Sequence, residues 1–362
     1  MKLKAVIPSG GRGTRMQPLT FSSNKHLIPV ANKPLILYPI ETVANAGVKD
    51  LAITYNPGGL DQIKNFLGDG SQWGINISYV LQAEPKGLAN IFQVCEEFFA
   101  GDPFIMHLGD NIFTEGIQPL VDHFVKEKPN GLVGKLHHPD NSRLGVPIFD
   151  KQGRLVEYLE KPKHPPHDWA IPGLYFFDHN IFKCFTGKGK IKPSPRGELE
   201  ITSPFQWLND NGYRVDVVDI QGKWLDPGKL DDWLDANQYL LDHHLEEKID
   251  SKLDDSVKIH GRVRLGKNCH ITNTVIRGPV SIGDHVTIKD SHIGAFTSIY
   301  DHCHIDNARL TASILMRGVK ITDVAKTIDD SIIGPDAEIT QDETGNHRSL
   351  ELIVSELSKI NI

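Results

Sequence analysis

The residues best suited to chemistry come first in the chain. Leu3-Lys4-Ala5-Val6-Ile7 is a strand-like apolar run, and it leads at once into Pro8-Ser9-Gly10-Gly11-Arg12-Gly13-Thr14-Arg15. Gly10, Gly11 and Gly13 can take positive φ and let backbone N–H groups approach an anion closely, while Arg12 and Arg15 carry charges that no cellular pH removes. Such a loop suits a polyphosphate, although a plain tight turn is the bland reading of any glycine loop after a strand. Neither of the two commonest glycine loops fits. A P-loop needs GxxxxGK[ST], yet Arg15 and Met16 stand there, and a dinucleotide fingerprint needs a third glycine where Met16 sits.

Carboxylates supply the complementary chemistry. Asp110, in Leu108-Gly109-Asp110-Asn111, follows an apolar run from Pro103 to Leu108 of the kind that fills a strand buried on both faces, where a carboxylate is costly unless paired or metal-bound. Asp226 stands in the turn-like Trp224-Leu225-Asp226-Pro227-Gly228. Two carboxylates reaching one cleft suit Mg²⁺, which takes a few protein oxygens plus phosphate oxygens, whereas each Asp alone is as readily a turn or cap residue. Gln82 offers a donor and an acceptor, enough to read a pyrimidine's adjacent carbonyl and N–H; a surface glutamine before a turn is the alternative. Asp301-His302-Cys303-His304 resembles a metal tetrad in composition, but strand alternation turns Cys303 inward and both histidines away from it.

The elements that must position these groups alternate. After the first strand, a helical pattern opens at Pro34 and closes at Gly47, Leu51 to Tyr55 and Ile75 to Leu81 read as strands, and a helix is expected from Leu88 to Phe99. Strands alternating with helices imply a mainly parallel, doubly wound sheet, with ligands beyond the carboxyl ends of its strands. From Leu132 the strands shorten, and those at 131–136, 145–149, 155–159 and 171–177 read as a β-rich insertion walling a cleft. Leu230 to Lys248 looks helical.

Beyond Val257 aliphatic residues recur at steps of six, Ile259, Leu265, Ile271, then Ile282 and Ile288, and after a five-residue slip Ile293, Ile299 and Ile305. This hexapeptide repeat predicts a parallel β-helix of roughly four or five coils. Breaks near Arg317 and Lys326 are expected to loop out, and Leu350, Ile353, Val354 and Leu357 have helical spacing.

A chain of 362 residues points to two domains, and 39% hydrophobic with 23% charged residues is the composition of a soluble globular protein. A net charge of −7 argues against a nucleic-acid partner, so the basic opening loop is a local feature suited to a small anion. No signal-peptide core and no membrane-length apolar segment is found, and the four cysteines fall in no CxxC spacing, which fits a cytoplasmic protein.

The run from Gly10 through Met16 to Pro18-Leu19-Thr20, and then Asn24-Lys25-His26-Leu27-Ile28-Pro29-Val30-Ala31-Asn32-Lys33-Pro34, resembles the sugar-1-phosphate nucleotidylyltransferases, whose signature reads GGxGTRLxPLT followed by a Lys in PKxLxPVxxKP. The hexapeptide tail is similar to that of the long glucose-1-phosphate thymidylyltransferase-like members. Pro8-Ser9 stands where the family has Leu-Ala, Met16 replaces Leu, and Asn24 replaces Pro or Ser. The resemblance implies an α/β fold, a Rossmann-like doubly wound nucleotidyltransferase domain (1–240), a helical linker (241–252), a left-handed parallel β-helix (253–340) and a tail helix (341–362).

It also implies attack of a sugar-1-phosphate on the α-phosphorus of a nucleoside triphosphate with Mg²⁺, giving nucleotide-sugar and pyrophosphate. The sugar phosphate is already an anion at neutral pH and needs no general base, so the obstacle is repulsion between anions. By resemblance, Arg15, Lys25, Asp110 and Lys161 are catalytic. Ser9, Gly10, Gly11, Gly13, Thr14, Arg15, Gln82, Gly87 and Asp110 bind nucleotide; Gly145, Glu160, Lys161, Gly173 and Glu198 bind the sugar phosphate; Asp110 and Asp226 hold the metal. Glucose-1-phosphate and dTTP are the expected substrates, with UTP the near alternative because one methyl group separates the bases. A bifunctional enzyme with an acyltransferase β-helix and a non-catalytic nucleotide-sugar sensor are the rival readings. Homo-oligomer contacts are expected through the β-helix, and no nucleic acid or membrane partner.

Overall fold

The strand-like opening run is a strand: Lys4–Pro8 (β1) is buried along all but its last residue. The computed structural model describes residues 2–11, 13–21, 24–151, 155–186, 189–341, 349–350, 352–356 and 358–361. By Cα proximity the chain forms two compact units, Met1–Gly11 with Ile36–Leu225, and Arg12–Leu35 with Asp226–Ile362.

In the first unit β1 pairs in parallel with Asp50–Tyr55 (β2) on one side and Phe104–His107 (β4) on the other, and β2 pairs in parallel with Asn76–Leu81 (β3). Parallel neighbours need crossovers, and Leu37–Asn45 (α1) and Leu60–Leu67 (α2) belong to two of them. Gly47 ends the α1 region at φ 87°, a conformation that favours glycine. The stretch expected as one helix from Leu88 to Phe99 is two short ones, Asn90–Val94 and Glu96–Phe99, broken at Cys95.

The expected β-rich insertion is divided. Gly131–His137 (β5) and Leu174–Phe177 (β6) join the main sheet, and only Gly145–Phe149 with Leu155–Glu160 stands apart as an antiparallel pair. Because β6 slots antiparallel between β4 and β5, and Val215–Asp219 (β7) then pairs in parallel with β5, the sheet is mixed, with order β3-β2-β1-β4-β6-β5-β7. The core beside it is aromatic: Phe99 stacks on Phe104 at 3.8 Å, and Phe92, Phe177 and Phe205 close round them.

In the second unit the hexad prediction holds at the level of side chains. Leu265, Ile271, Ile282, Ile288, Ile293, Ile299 and Ile305 are all buried in one column-like core. Gly266 is needed where coils stack, since a Cβ there would lie 2.5 Å from the Gly283 carbonyl oxygen. Cys269 and Cys303 point into this core while His302 and His304 are exposed, as alternation requires.

The solenoid is longer than the repeat suggested. Among the described residues seven rungs stack on one face, from Lys248–Ile249 to Ile353–Val354, so the first lies in the stretch expected as a connector after the helix Leu230–His244. No loop leaves at Lys326: Lys320–Ile328 is one strand, and Ala325 and Lys326 form a bulge whose N–H groups donate to Gln341 Oε1. The expected tail helix is strand where described, Ser349–Leu350, Ile353–Val354 and Lys359–Asn361, while Leu357 lies outside the described residues. The open edge of the last coil offers unpaired backbone groups, and the tail satisfies them by registering Leu350, Val354 and Ile360 on Ile328, Ile333 and Ile339. Among the described residues no helix is long and apolar enough to cross a membrane.

Candidate active site

Of the residues singled out in the sequence, Ser9, Gly10, Gly11, Gln82, Gly87, Asp110, Gly145, Glu160, Lys161, Gly173 and Glu198 belong to the first unit, and Gly13, Thr14, Arg15, Lys25 and Asp226 to the second. Arg12 lies outside the described residues.

In the first unit, β1 delivers Ser9 into a buried position where its hydroxyl and its amide both donate to the Thr54 carbonyl, at 2.6 and 3.0 Å. Ser9 therefore anchors the start of the loop and has no donor left for a phosphate. Gly10 is glycine because Asn56 leans on it: a Cβ would meet Asn56 Oδ1 at 2.5 Å, and Asn56 Nδ2 donates to the Gly10 carbonyl. Gly11 is exposed. Past β3, Gln82 is buried, its amide N–H donating to Tyr55 O at 2.8 Å and its side-chain Nε2 to Asn90 Oδ1 at 3.3 Å. Gly87, at φ 96°, is explained by the chain itself, since a Cβ would lie 2.5 Å from Leu199 O.

Asp110 stands just past β4, half-buried, and accepts a hydrogen bond from Asn111 Nδ2 at 3.1 Å. Asn111 is itself 2% exposed, and its Oδ1 accepts from the Gly173 amide at 3.0 Å and from Trp224 Nε1 at 2.9 Å. A Cβ on Gly173 would fall inside contact distance of both Asn111 Oδ1 and Leu108, so that glycine serves the packing of this loop. Beneath the loop, His107 is fully buried; its Nδ1 donates to Leu108 O at 2.8 Å, and burial lowers its pKa to about 4.

Near the end of the hairpin Gly145–Phe149/Leu155–Glu160 a compact charge cluster forms. Glu160 Oε1 lies 3.3 Å from Lys161 Nζ and 3.6 Å from Arg196 Nη2, and Arg196 reaches Glu200 Oε1 at 2.8 Å. Ser194 Oγ also donates to Glu200 Oε1, at 2.7 Å. Glu160 Oε2 is buried with no hydrogen-bond partner among the described residues. Lys161 sits at φ 46°, its amide fixed on Leu144 O at 3.1 Å. Gly145 has room to spare: a Cβ would meet Thr202 Cγ2 at 3.6 Å and Ile171 Cβ at 3.8 Å, ordinary contacts. Glu198 is exposed, whereas Glu200 two residues on is buried.

In the second unit Gly13, at φ 59°, opens the 3-10 turn Thr14–Met16, which leaves Thr14 and Arg15 exposed while Met16 is buried. Thr20 Oγ1 ties the turn down by donating to Gly13 O at 2.8 Å. Lys25 is buried in the turn Lys25–Leu27, and the departure Asn24 is its cap, accepting from the His26 amide at 2.9 Å. A Cβ on Gly13 would sit 3.2 Å from Lys25 Cβ, so the loop and the lysine pack together. Arg15 in turn lies against the late turn: a Cβ on Gly228 would be 3.4 Å from Arg15 Nη1, and the Gly228 amide donates to Asp226 O at 2.6 Å. Asp226 is exposed.

The sequence pattern of the Nucleotidyl transferase family matches residues 4–243. The chain belongs to that family. A glucose-1-phosphate thymidylyltransferase of Streptomyces antibioticus is 37% identical to this nucleotidyl transferase over 340 residues, 94% of this chain and 94% of its own. The low-salt glycan biosynthesis nucleotidyltransferase of Haloferax volcanii is 34% identical over 362 residues, 99% of this chain and 100% of its own. A crystal structure from Bacillus anthracis of a candidate glucose-1-phosphate thymidylyltransferase, in complex with sucrose, superposes with a TM-score of 0.62 at 31% identity, covering 68% of this chain and 98% of its own. Nucleotidyl transferases of this type generally use a divalent metal ion.

Sequence reasoning passed over Asn111, Arg196 and Glu200. Asn111 stood inside a quoted motif, but its importance lies in a partner far along the chain, Trp224; Arg196 and Glu200 matter through the cluster they form with Glu160. Among the described residues no group of three or more His, Cys, Asp or Glu is placed to hold a metal ion.

Proposed function

We propose that this nucleotidyl transferase moves the thymidylyl group of dTTP to glucose-1-phosphate in the cytoplasm. A phosphate oxygen of glucose-1-phosphate bonds to the α-phosphorus, the bond to the bridging oxygen of the β-phosphate breaks, and dTDP-glucose and pyrophosphate leave. The observation that carries the sugar half is Glu160, a carboxylate with one oxygen among cations and the other, Oε2, buried and without a hydrogen-bond partner among the described residues. A buried acceptor of this kind suits a sugar hydroxyl, because a carboxylate oxygen deprived of water is stabilised by any donor brought to it. Lys161 then faces the sugar phosphate, with Gly145 against the ring and Glu198 on a further hydroxyl.

Arg15 and Lys25 offset the negative charge of the triphosphate and the departing pyrophosphate, and the Gly10, Gly11, Gly13 and Thr14 loop follows the phosphates. Gln82 reads the pyrimidine edge beside Gly87. Asp110 and Asp226 would hold Mg²⁺, since hard carboxylate oxygens suit an ion that also keeps phosphate and water ligands. When bound, the ion draws charge from the phosphate oxygens. Copies of the chain assemble through the β-helix, whose end-rung residues Ile249 and Ile353 are each 40% exposed.

A pyrophosphate-release panel tests the reading, crossing dTTP, UTP, ATP, CTP and GTP with glucose-, galactose-, mannose- and N-acetylglucosamine-1-phosphate. The highest kcat/KM is expected for dTTP with glucose-1-phosphate. UTP should follow within about 200-fold, since a single methyl group is worth about 1–3 kcal/mol in a pocket. Another pair at the top, or no release with any pair, would displace it.

A further inference from the structure

We infer that Asn237 and Asn32 are positioning residues that seat the Arg15 and Lys25 segment on the β-helix, making the solenoid part of the machinery that holds those cations. The inference rests on the assignment of Arg15 and Lys25 to the reaction. It starts from the two short strands Pro29–Val30 and Lys33–Pro34, which pair antiparallel around Ala31 and Asn32. Both turn residues are left-handed, φ 49° and 60°; asparagine tolerates that conformation, whereas an alanine such as Ala31 adopts it only when its surroundings impose it.

The imposing contacts come from the C-terminal half. Asn237, 1% exposed on the helix Leu230–His244, accepts from the Ala31 amide at 2.9 Å and from Ser298 Oγ at 2.7 Å, and donates to Phe296 O at 2.9 Å. Asn32 Nδ2 donates to Ser281 O at 3.0 Å and Ile299 O at 2.8 Å. Two successive rungs, Val280–Ile282 and Thr297–Ile299, thus meet one hairpin tip directly, and Asn237 reaches it from the helix. Trp233, fully buried, adds its indole N–H to Pro29 O at 2.9 Å.

The face that receives the hairpin differs from the rest of the solenoid. Arg264, Ser281, Ser298, Ile314 and Ile332 occupy one outward column, in register from rung to rung. Arg264 is exposed as an outward residue should be, but the next four are buried. Small serines where the asparagines dock and aliphatics beyond them describe a face shaped for a covering segment. From that seat the path to the cations is short: Leu35 N–H bonds Ile28 O at 3.1 Å, Ile28 N–H bonds Lys25 O at 3.2 Å, and Lys25 packs on Gly13.

The test uses the full chain carrying Asn237→Ala, Asn32→Gly or Lys25→Ala. Asn32→Gly keeps the left-handed turn accessible and removes only the amide. Steady-state pyrophosphate release should show kcat lower by about 10- to 100-fold in the first two with KM for glucose-1-phosphate nearly unchanged, the signature of misplaced catalytic groups. Hydrogen exchange should rise in peptides covering 24–35 and stay low in the rungs from Val263 to Ile293, which a general loss of stability would not spare. Should Asn237→Ala fail to fold, Ser298→Ala removes a single bond and should still lower kcat measurably. Normal kcat in Asn32→Gly and the folded Asn237 or Ser298 variant, with Lys25→Ala inactive, overturns the inference; normal kcat in Lys25→Ala overturns instead the assignment beneath it.

Discussion

Trp224 Nε1 donates to Asn111 Oδ1 at 2.9 Å across 113 residues of sequence, and the same oxygen holds the Gly173 amide. One buried side chain thereby fixes the strand Trp224–Leu225, the start of β6 and, through its Nδ2, Asp110. Asn111→Leu leaves two buried N–H groups unpaired and should destabilise the chain by about 2–5 kcal/mol, read from the urea midpoint. Trp224→Phe removes one donor and should cost only about 1 kcal/mol. Equal, small losses in both variants would deny Asn111 its central place.

Gly145 and Gly173, both expected at the sugar phosphate from the sequence, should separate cleanly. Gly145→Ala meets only ordinary contacts, so its unfolding midpoint should stay within about 1 °C of wild type while KM for glucose-1-phosphate rises about tenfold, near 1.4 kcal/mol of lost binding. Gly173→Ala collides with Asn111 and Leu108 and should lose stability and activity together. An unchanged KM in Gly145→Ala removes that residue from the sugar subsite.

Arg15→Ala and Lys25→Ala should each lower kcat by about 10²-fold or more with circular dichroism unchanged, as expected when a cation offsetting transition-state charge is deleted. Their stabilities should diverge. Arg15 is exposed and its loss should be nearly silent, whereas Lys25 is buried and its truncation leaves a gap. Near-normal turnover in either variant would take that residue out of the mechanism.

His107 gives a pH signature. Burial holds its folded pKa at about 4, below the ordinary 6.5, so between those values the unfolded chain binds the extra proton and stability rises with pH. The contribution is complete above about pH 6.5 and is lost as pH falls towards 4. His107→Phe keeps an aromatic ring against Phe113, and its melting temperature should fall less steeply between pH 6.5 and 4. An identical slope in the two proteins would assign the acid sensitivity to other groups.

Much of this was legible in the residues themselves. The apolar run before Ser9, the glycine loop and the hexads each repeat a local rule, and β1, the Gly13 turn and the Leu265 to Ile305 core follow it. Less visible was how elements would be shared. β6 enters the sheet antiparallel, and the tail becomes strand because the last coil offers it an edge, although its spacing fits a helix.

The amino-acid sequence by itself determined the charges, the family and the stacking repeat, because these depend on residue type at short, regular spacing. Tertiary structure decided which residues serve the packing and which stand clear of it. Gly87 and Gly173 are occupied by Leu199 and Asn111, Gly145 is not crowded, and the segment Arg12–Leu35 groups with the β-helix through Asn237. Those outcomes rest on hydrogen-bond partners and close approaches separated by tens to hundreds of residues, which a local period does not encode.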